Sequence, residues 1–164
     1  MDKDTRSKKV PGQSQVIELS RQNASSRIRN MAELGSMTPD ELSARKILHP
    51  GMANKEVLNT FREIRTQLLR ISGGRNFVVM VTSLTGKAGS SFIASNLGAV
   101  LALDKTKTAL LIDCNLYDSS LNQLLDVEPD YGLTDYLAEE HLDINDIIYA
   151  SGIPRLRVVP AGTH

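Results

Sequence analysis

Side chains able to do chemistry concentrate in Val81-Thr82-Ser83-Leu84-Thr85-Gly86-Lys87-Ala88-Gly89-Ser90-Ser91. The stretch follows an apolar run and precedes a helical pattern, so successive backbone N–H groups can form a nest for an anion. The helix adds the positive end of its dipole. Gly86 and Gly89 permit the backbone angles and close approach that a phosphate cradle requires. Ser91 puts a hydroxyl where a loop of the G-x-x-x-x-G-K-[ST] kind holds Mg²⁺. One position earlier that pattern has a lysine, and this chain has Ser90. Lysine offsets the charge of the β- and γ-phosphates, whereas serine offers a hydrogen bond and no charge. Lys87 is either a displaced phosphate ligand, which requires a different loop path, or a solvent-exposed lysine. The expected ligand is a nucleotide's phosphates with Mg²⁺, on Gly86, Lys87, Ala88, Gly89, Ser90 and Ser91.

Asp113 ends a second apolar run, Thr108-Ala109-Leu110-Leu111-Ile112. A carboxylate at the end of a strand beside the loop can orient water on Mg²⁺, which makes Asp113 the catalytic candidate and, with Ser91, the metal candidate. The same residue can instead cap the turn that follows it.

The elements that must position these groups follow from periodicity. Phe77-Val78-Val79-Met80-Val81 reads as a strand buried on both faces, and Ser91–Leu103 as a helix suited to packing on a sheet. Two buried strands around one helix predict a right-handed βαβ crossover and a parallel sheet. Ser119–Leu125, Gly132–Leu137 and Asp143–Tyr149 read as short helices, and Leu156–Val159 as a third strand. Such alternation is the doubly wound α/β plan. Upstream, Thr38-Pro39-Asp40-Glu41 is a helix start, and His49-Pro50-Gly51 a turn. Asn54–Ile71 predicts a helix with an apolar stripe of Val57, Phe61, Ile64, Leu68 and Ile71, leaving Arg62, Glu63, Arg65 and Gln67 off it. Ser72-Gly73-Gly74 terminates that helix. The expected organisation is a mostly disordered, flexible arm over 1–38 with a short helix near Val16–Ser20, N-terminal helices over 39–72, and the first half of an α/β domain over 73–164.

Composition narrows the function classes. Aromatics make up 4% and Trp is absent, which suits an aliphatic α/β core. Basic residues outnumber acidic ones 13 to 8 over 1–70, and acidic outnumber basic 11 to 6 over 71–164. That bias reads either as a solvated tail or as an arm for an anionic membrane surface or an acidic neighbour. Arg and Lys are not concentrated on the α/β half, which argues against a nucleic-acid partner. Cys114 is the only cysteine, so neither an internal disulfide nor a Cys-based metal site is expected, and a reducing cytoplasm fits. Neither a signal peptide nor an apolar run long enough to span a bilayer appears in the sequence, so any membrane link must come through a partner.

Six blocks occur in order: Phe61-Arg62-Glu63-Ile64-Arg65, Val81-Thr82-Ser83 with its Gly-rich loop, Asn96-Leu97, Leu110-Leu111-Ile112-Asp113, Gly132-Leu133-Thr134-Asp135-Tyr136-Leu137 and Val158-Val159-Pro160-Ala161-Gly162. Over roughly residues 55–164 the chain resembles the cytoplasmic domain of the bacterial tyrosine autokinases of capsule and exopolysaccharide synthesis. That resemblance implies a P-loop NTPase-like fold with a mostly parallel sheet. It also implies that Arg62 and Arg65 belong to a Glu-x-x-Arg-x-x-Arg helix through which subunits close into a ring, although the acidic position is Asn59 here. The family's Asp-x-Asp reads Asp113-Cys114-Asn115, and Tyr117 stands where the family usually has an arginine. Its Walker B strand and C-terminal tyrosine cluster fall past His164. The sheet is therefore expected to be incomplete at the C-terminus, with an apolar edge left for a longer parent chain or a partner. Tyr131, Tyr136 and Tyr149 are scattered and read as packing residues.

The resemblance implies one of two functions. In the first, a catalytically impaired kinase-like module acts with a membrane-embedded polysaccharide co-polymerase or adaptor, cytoplasmic and peripheral at the inner membrane. In the second, an active ATP-dependent tyrosine autokinase uses Lys87 or a neighbour's arginine. The spatial-regulator ATPases of septum and plasmid positioning share the fold but expect an early loop lysine, where this chain has Leu84 and Thr85.

Overall fold

Thr38 opens the first helix, α1 (Pro39–Ala44), through a reciprocal cap. Its hydroxyl accepts from the Glu41 N–H at 3.3 Å while its own N–H donates to Glu41 Oε2 at 2.7 Å. The helix closes with Lys46 in the left-handed region at φ 57°, the Lys46 N–H on the Ser43 carbonyl at 3.0 Å and the Ile47 N–H on the Leu42 carbonyl at 2.8 Å. This turn presents the Lys46 carbonyl and the Leu48 N–H to one side chain. Asn96 donates to the first at 3.1 Å and accepts from the second at 2.6 Å, fastening the α1 turn to the helix that follows the Gly-rich loop.

The computed structural model describes residues 35–125 and 127–163. These lie in one compact unit spanning Ala32–His164. The short helix expected near Val16–Ser20 and most of the 1–38 arm lie outside the described residues.

Helix α2 (Lys55–Ile71) is capped by Asn54, whose side chain accepts from the Glu56 and Val57 N–H groups. Its contact face is rotated from the predicted stripe. Leu58 and Phe61 are buried and Val57 and Leu68 partly so, whereas Ile64 is 40% and Ile71 77% exposed. The face runs through Leu58, Phe61, Arg65 and Leu68. Arg65 was expected off the stripe, but it is half-buried and its Nη1 donates to the Val100 carbonyl at 3.3 Å.

Helix α3 (Ser90–Ala102) is the central layer. One side, with Leu97 and Val100, packs on α2. The other, with Ala99 and Ala102, packs on the sheet. Gly98 lets it approach closely, since a Cβ there would meet the Leu111 side chain at 3.0–3.2 Å. Its C-terminal carbonyl at Ala102 accepts from Arg155 Nε and Nη2 at 3.0 and 2.7 Å.

The sheet joins β1 (Ala109–Ile112), β2 (Tyr149–Ala150) and β3 (Leu156–Val159) in the order β1-β3-β2. β1 runs parallel to β3, with Ala109 opposite Leu156 and Ile112 opposite Val159, and β2 is antiparallel to β3. The sheet is therefore mixed. Between β1 and β2 lie a 3₁₀ turn at Leu121–Leu124, helix α4 (Leu133–Ala138) and a second 3₁₀ turn at Ile144–Ile147. The helices expected at Ser119–Leu125 and Asp143–Tyr149 are thus single turns. The second stops because Tyr149 and Ala150 are drawn into pairing with Val158 and Arg157.

The largest correction concerns Phe77–Val81. The segment forms no strand, and Val78 (98%) and Met80 (84%) are exposed. A buried strand needs ladder partners on its edges, and among the described residues no segment pairs with this one. The predicted crossover through it is absent, and the parallel pair is β1 with β3 instead. Leu110 and Ile112 on β1 are also about half exposed, at 47% and 51%. Among the described residues, no helix is long and apolar enough to cross a membrane.

Candidate functional site

The Gly-rich loop leaves Val81 and enters α3 at Ser90, with Thr82 through Gly89 all exposed. Gly89 is the N-cap in the left-handed region at φ 90°, and no side chain caps the helix. The first-turn N–H groups therefore lack a side-chain acceptor at the end where the dipole is positive. A Cβ at Gly86 or Gly89 would meet nothing within 4 Å, so the space over both is open to a ligand. Uncapped amides with open space above them fit a phosphate group.

Lys87 lies on this loop at φ 61°, exposed. Ser90 is half-buried, and the Ser83 hydroxyl donates to it at 3.5 Å. The two ends of the loop are thus tied by hydroxyls, and Ser83 is the partner that sequence reasoning did not assign. Ser91, at the second position of α3, is half-buried.

Asp113 is 5% exposed and fully engaged. Its Oδ1 accepts from the Asn115 N–H at 3.0 Å. Its Oδ2 accepts from the Ser119 hydroxyl at 2.9 Å and from the Ser120 and Leu121 N–H groups at 3.2 Å each. The structure thus brings Asp113 together with the loop after β1. Among the described residues, no hydrogen bond joins it to Gly86–Ser91, and no cluster of three or more His, Cys, Asp or Glu residues could hold a metal. A Mg²⁺ ion fits this donor set less well than a phosphate does, because Asp113 already accepts four bonds from its own loop. Asn115 is spent locally, donating to the Asp118 carbonyl at 2.7 Å, while Tyr117 and Cys114 are exposed.

The block at Gly132–Leu137 proves to be a structural lock. Asp135, 2% exposed, accepts from the Gly132 N–H at 2.7 Å and from the Thr163 hydroxyl at 2.8 Å. Thr134 adds its N–H and hydroxyl to the Ala161 carbonyl at 2.9 and 3.0 Å. These bonds hold the C-terminal end of β3 to α4. Tyr149 packs beside them and accepts the Tyr131 N–H at 3.1 Å.

Arg62 Nη1 donates to Asn59 Oδ1 at 3.4 Å, so the amide standing at the acidic position of the ring motif is Arg62's own neighbour. Arg65 turns inward to Val100, and its Nε is shielded from water with no partner.

No protein-family model matches the chain. Among curated proteins it is similar to the tyrosine-protein kinase CpsD of Streptococcus agalactiae, 35% identical over 109 residues, covering 66% of this chain and 46% of that protein. It is also similar to the tyrosine-protein kinase Etk of Escherichia coli, 31% identical over 102 residues, covering 62% of this chain and 14% of that protein. The chain thus spans about half the length of the streptococcal relative. Among solved structures, the kinase domain of Escherichia coli Etk superposes with a TM-score of 0.60 at 26% identity, covering 79% of this chain and 53% of that domain. The BceF tyrosine kinase domain, at 23% identity and a TM-score of 0.56 over 84% of this chain and 61% of that one, shares the fold.

Proposed function

Because the stretch that this chain shares with those relatives belongs to the bacterial tyrosine kinase family, we propose that the chain is a kinase-like module of exopolysaccharide and capsule assembly, impaired in phosphoryl transfer and acting through a membrane-embedded co-polymerase or adaptor. One observation carries the impairment: Ser90, tied to Ser83, occupies the first turn of α3 where the phosphate-loop pattern has lysine.

The amides from Gly86 to Ser91 would hold the nucleotide phosphates, and the Ser91 hydroxyl would face Mg²⁺. Bound ATP supplies a transferable phosphoryl group, and Mg²⁺ offsets its charge. The chain's own contribution is chiefly binding. Its amides and the α3 dipole attract the anion, while the only cation within the loop, Lys87, is exposed three residues before Ser90. Asp113 keeps Oδ1 on the Asn115 N–H and Oδ2 on Ser119, Ser120 and Leu121, so its role is to order the turn after β1. Losing one charge-assisted phosphate contact costs about 1.5–3 kcal/mol of binding. A site lacking that cation also stabilises less of the charge that develops in transfer.

Partner action is supported by charge. The basic excess over 1–70 suits an anionic membrane surface or an acidic neighbour, and supports a peripheral position at the inner membrane through such a partner. Of the two ring-motif arginines, Arg62 is the one to meet a neighbouring subunit's carboxylate, since Arg65 serves its own fold.

Titration of the purified chain with fluorescent ATP and Mg²⁺ tests the reading. Weak binding that is indifferent to Lys87→Ala is expected. Low-micromolar binding abolished by Lys87→Ala would establish instead an active autokinase with a rearranged loop.

A further inference from the structure

A half-open cavity of mixed polar and apolar lining lies where the turn after α1 meets α3 and the Leu121–Leu124 turn. It measures about 260 Å³ and is walled by Arg45, Lys46, Phe92, Ser95, Asn96 and Gln123. Two of these walls carry polar atoms that the fold leaves unused. Ser95 is 1% exposed and its Oγ has no hydrogen-bond partner, although a helical serine can ordinarily bond back to the preceding turn. Arg45 Nη1 is likewise shielded from water and unpartnered. Each such group, left unsatisfied, costs about 1–3 kcal/mol.

The charge around the cavity has one sign. Arg45 forms no ion pair among the described residues. Glu41 on the same helix feels its charge, but the Glu41 carboxylate is bound to the Thr38 N–H and hydroxyl. Lys46 is exposed and sits in the left-handed region at φ 57°, which for a lysine costs about 1–2 kcal/mol of backbone strain. Asn96 contributes no free valence, since its oxygen accepts from Leu48 and its nitrogen donates to Lys46 and Phe92 carbonyls. Asn96 thus fixes one part of the wall, and the lining holds two cationic side chains, the unpartnered Arg45 Nη1 and Ser95 Oγ lying just beneath its surface, and no carboxylate.

We propose that this cavity binds a small oxyanion of the phosphate class, with Arg45 Nη1 and Ser95 Oγ as direct donors and Lys46 as the accompanying charge. The volume, about 260 Å³, sits just below the range of drug-sized ligand pockets, which suits inorganic phosphate or a compact phosphate ester. A guanidinium is matched to such an ion in both charge and geometry. Because the same Asn96 that forms the wall also fastens α3, an anion here would brace the helix that carries Ser90 and Ser91.

The site does not depend on the nucleotide reading, and amide NMR separates the two. Inorganic phosphate titrated into the ¹⁵N-labelled chain is expected to move the Arg45–Leu48 and Ser95–Asn96 resonances with a dissociation constant near 1 mM. Arg45→Gln should weaken that response about tenfold and Ser95→Ala about threefold, each with an unchanged circular dichroism spectrum. Lys46→Gln, on an exposed side chain, serves as the second charge variant and should weaken it to a lesser degree. No movement at these residues up to about 20 mM phosphate overturns the proposal. So does movement confined to Gly86–Ser91, or a response that Arg45→Gln leaves intact.

Discussion

The Ser119 hydroxyl donates to the Asp113 carboxylate at 2.9 Å, so the acid that ends β1 is held by the loop that follows it. With the Ser120 and Leu121 N–H groups on the same oxygen, Asp113 is the acceptor around which residues 115–121 are wound. Removing it should therefore be felt without any ligand. Asp113→Ala is expected to cost about 2–3 kcal/mol in urea unfolding carried out with chelator and no nucleotide, because buried donors lose their acceptor. A variant as stable as the parent in that buffer would show that the carboxylate serves a ligand alone.

Ser90 is the position at which a single change should restore a charge. Ser90→Lys is expected to tighten ATP binding by about tenfold or more, the equivalent of one charge-assisted contact. Calorimetric titration reads the difference directly. If the affinity does not change, the first turn of α3 is not where the terminal phosphates lie.

Gly132 is fixed by backbone on its far side rather than by its own torsions. A Cβ there would overlap the Gly162 nitrogen and approach the Pro160 carbonyl oxygen to 2.6 Å. Neither atom can rotate away, so Gly132→Ala should destabilise the chain by about 3 kcal/mol, at the upper end for overpacking. Thermal unfolding checks it, and a loss well under 1 kcal/mol would mean that α4 is not locked to the end of β3.

Two carboxylates set an acid-range dependence. Glu41 is held below the usual carboxylate pKa first by the Thr38 N–H and then by the Thr38 hydroxyl, and Asp104 first by the Thr106 N–H and then by its hydroxyl. A depressed value in the folded state means that the contribution is complete above the unfolded pKa and is lost as pH falls through the folded one. Between about pH 5 and pH 3 the unfolding midpoint of the Glu41→Gln, Asp104→Asn double variant should fall less steeply than that of the parent. Parallel slopes for the two proteins would rule out these caps as the source.

Local signals survived well. Thr38 caps the helix it was expected to cap, and the helix expected from Asn54 starts there with Asn54 as its cap, since a short side-chain acceptor beside the first turn acts within a few residues. Ala109–Ile112 and Leu156–Val159 are strands as expected. The glycine spacing around Gly86 and Gly89 was enough to mark an exposed loop opening a helix.

What the sequence determined by itself was the helix starts at Thr38 and Asn54, the strands Ala109–Ile112 and Leu156–Val159, the six blocks that carry the resemblance to bacterial tyrosine kinases, and the absence of lysine at Ser90. These are properties of residue type and near neighbours. Only the tertiary structure decided that Phe77–Val81 has no ladder partner, that α2 turns Arg65 inward to Val100, and that Asp113 is consumed by its own loop. It also decided that Arg45 and Ser95, 50 positions apart, share one cavity. Each of these depends on which backbone or side-chain donors arrive from elsewhere in the chain, and an apolar run or a lone carboxylate carries no record of its partners.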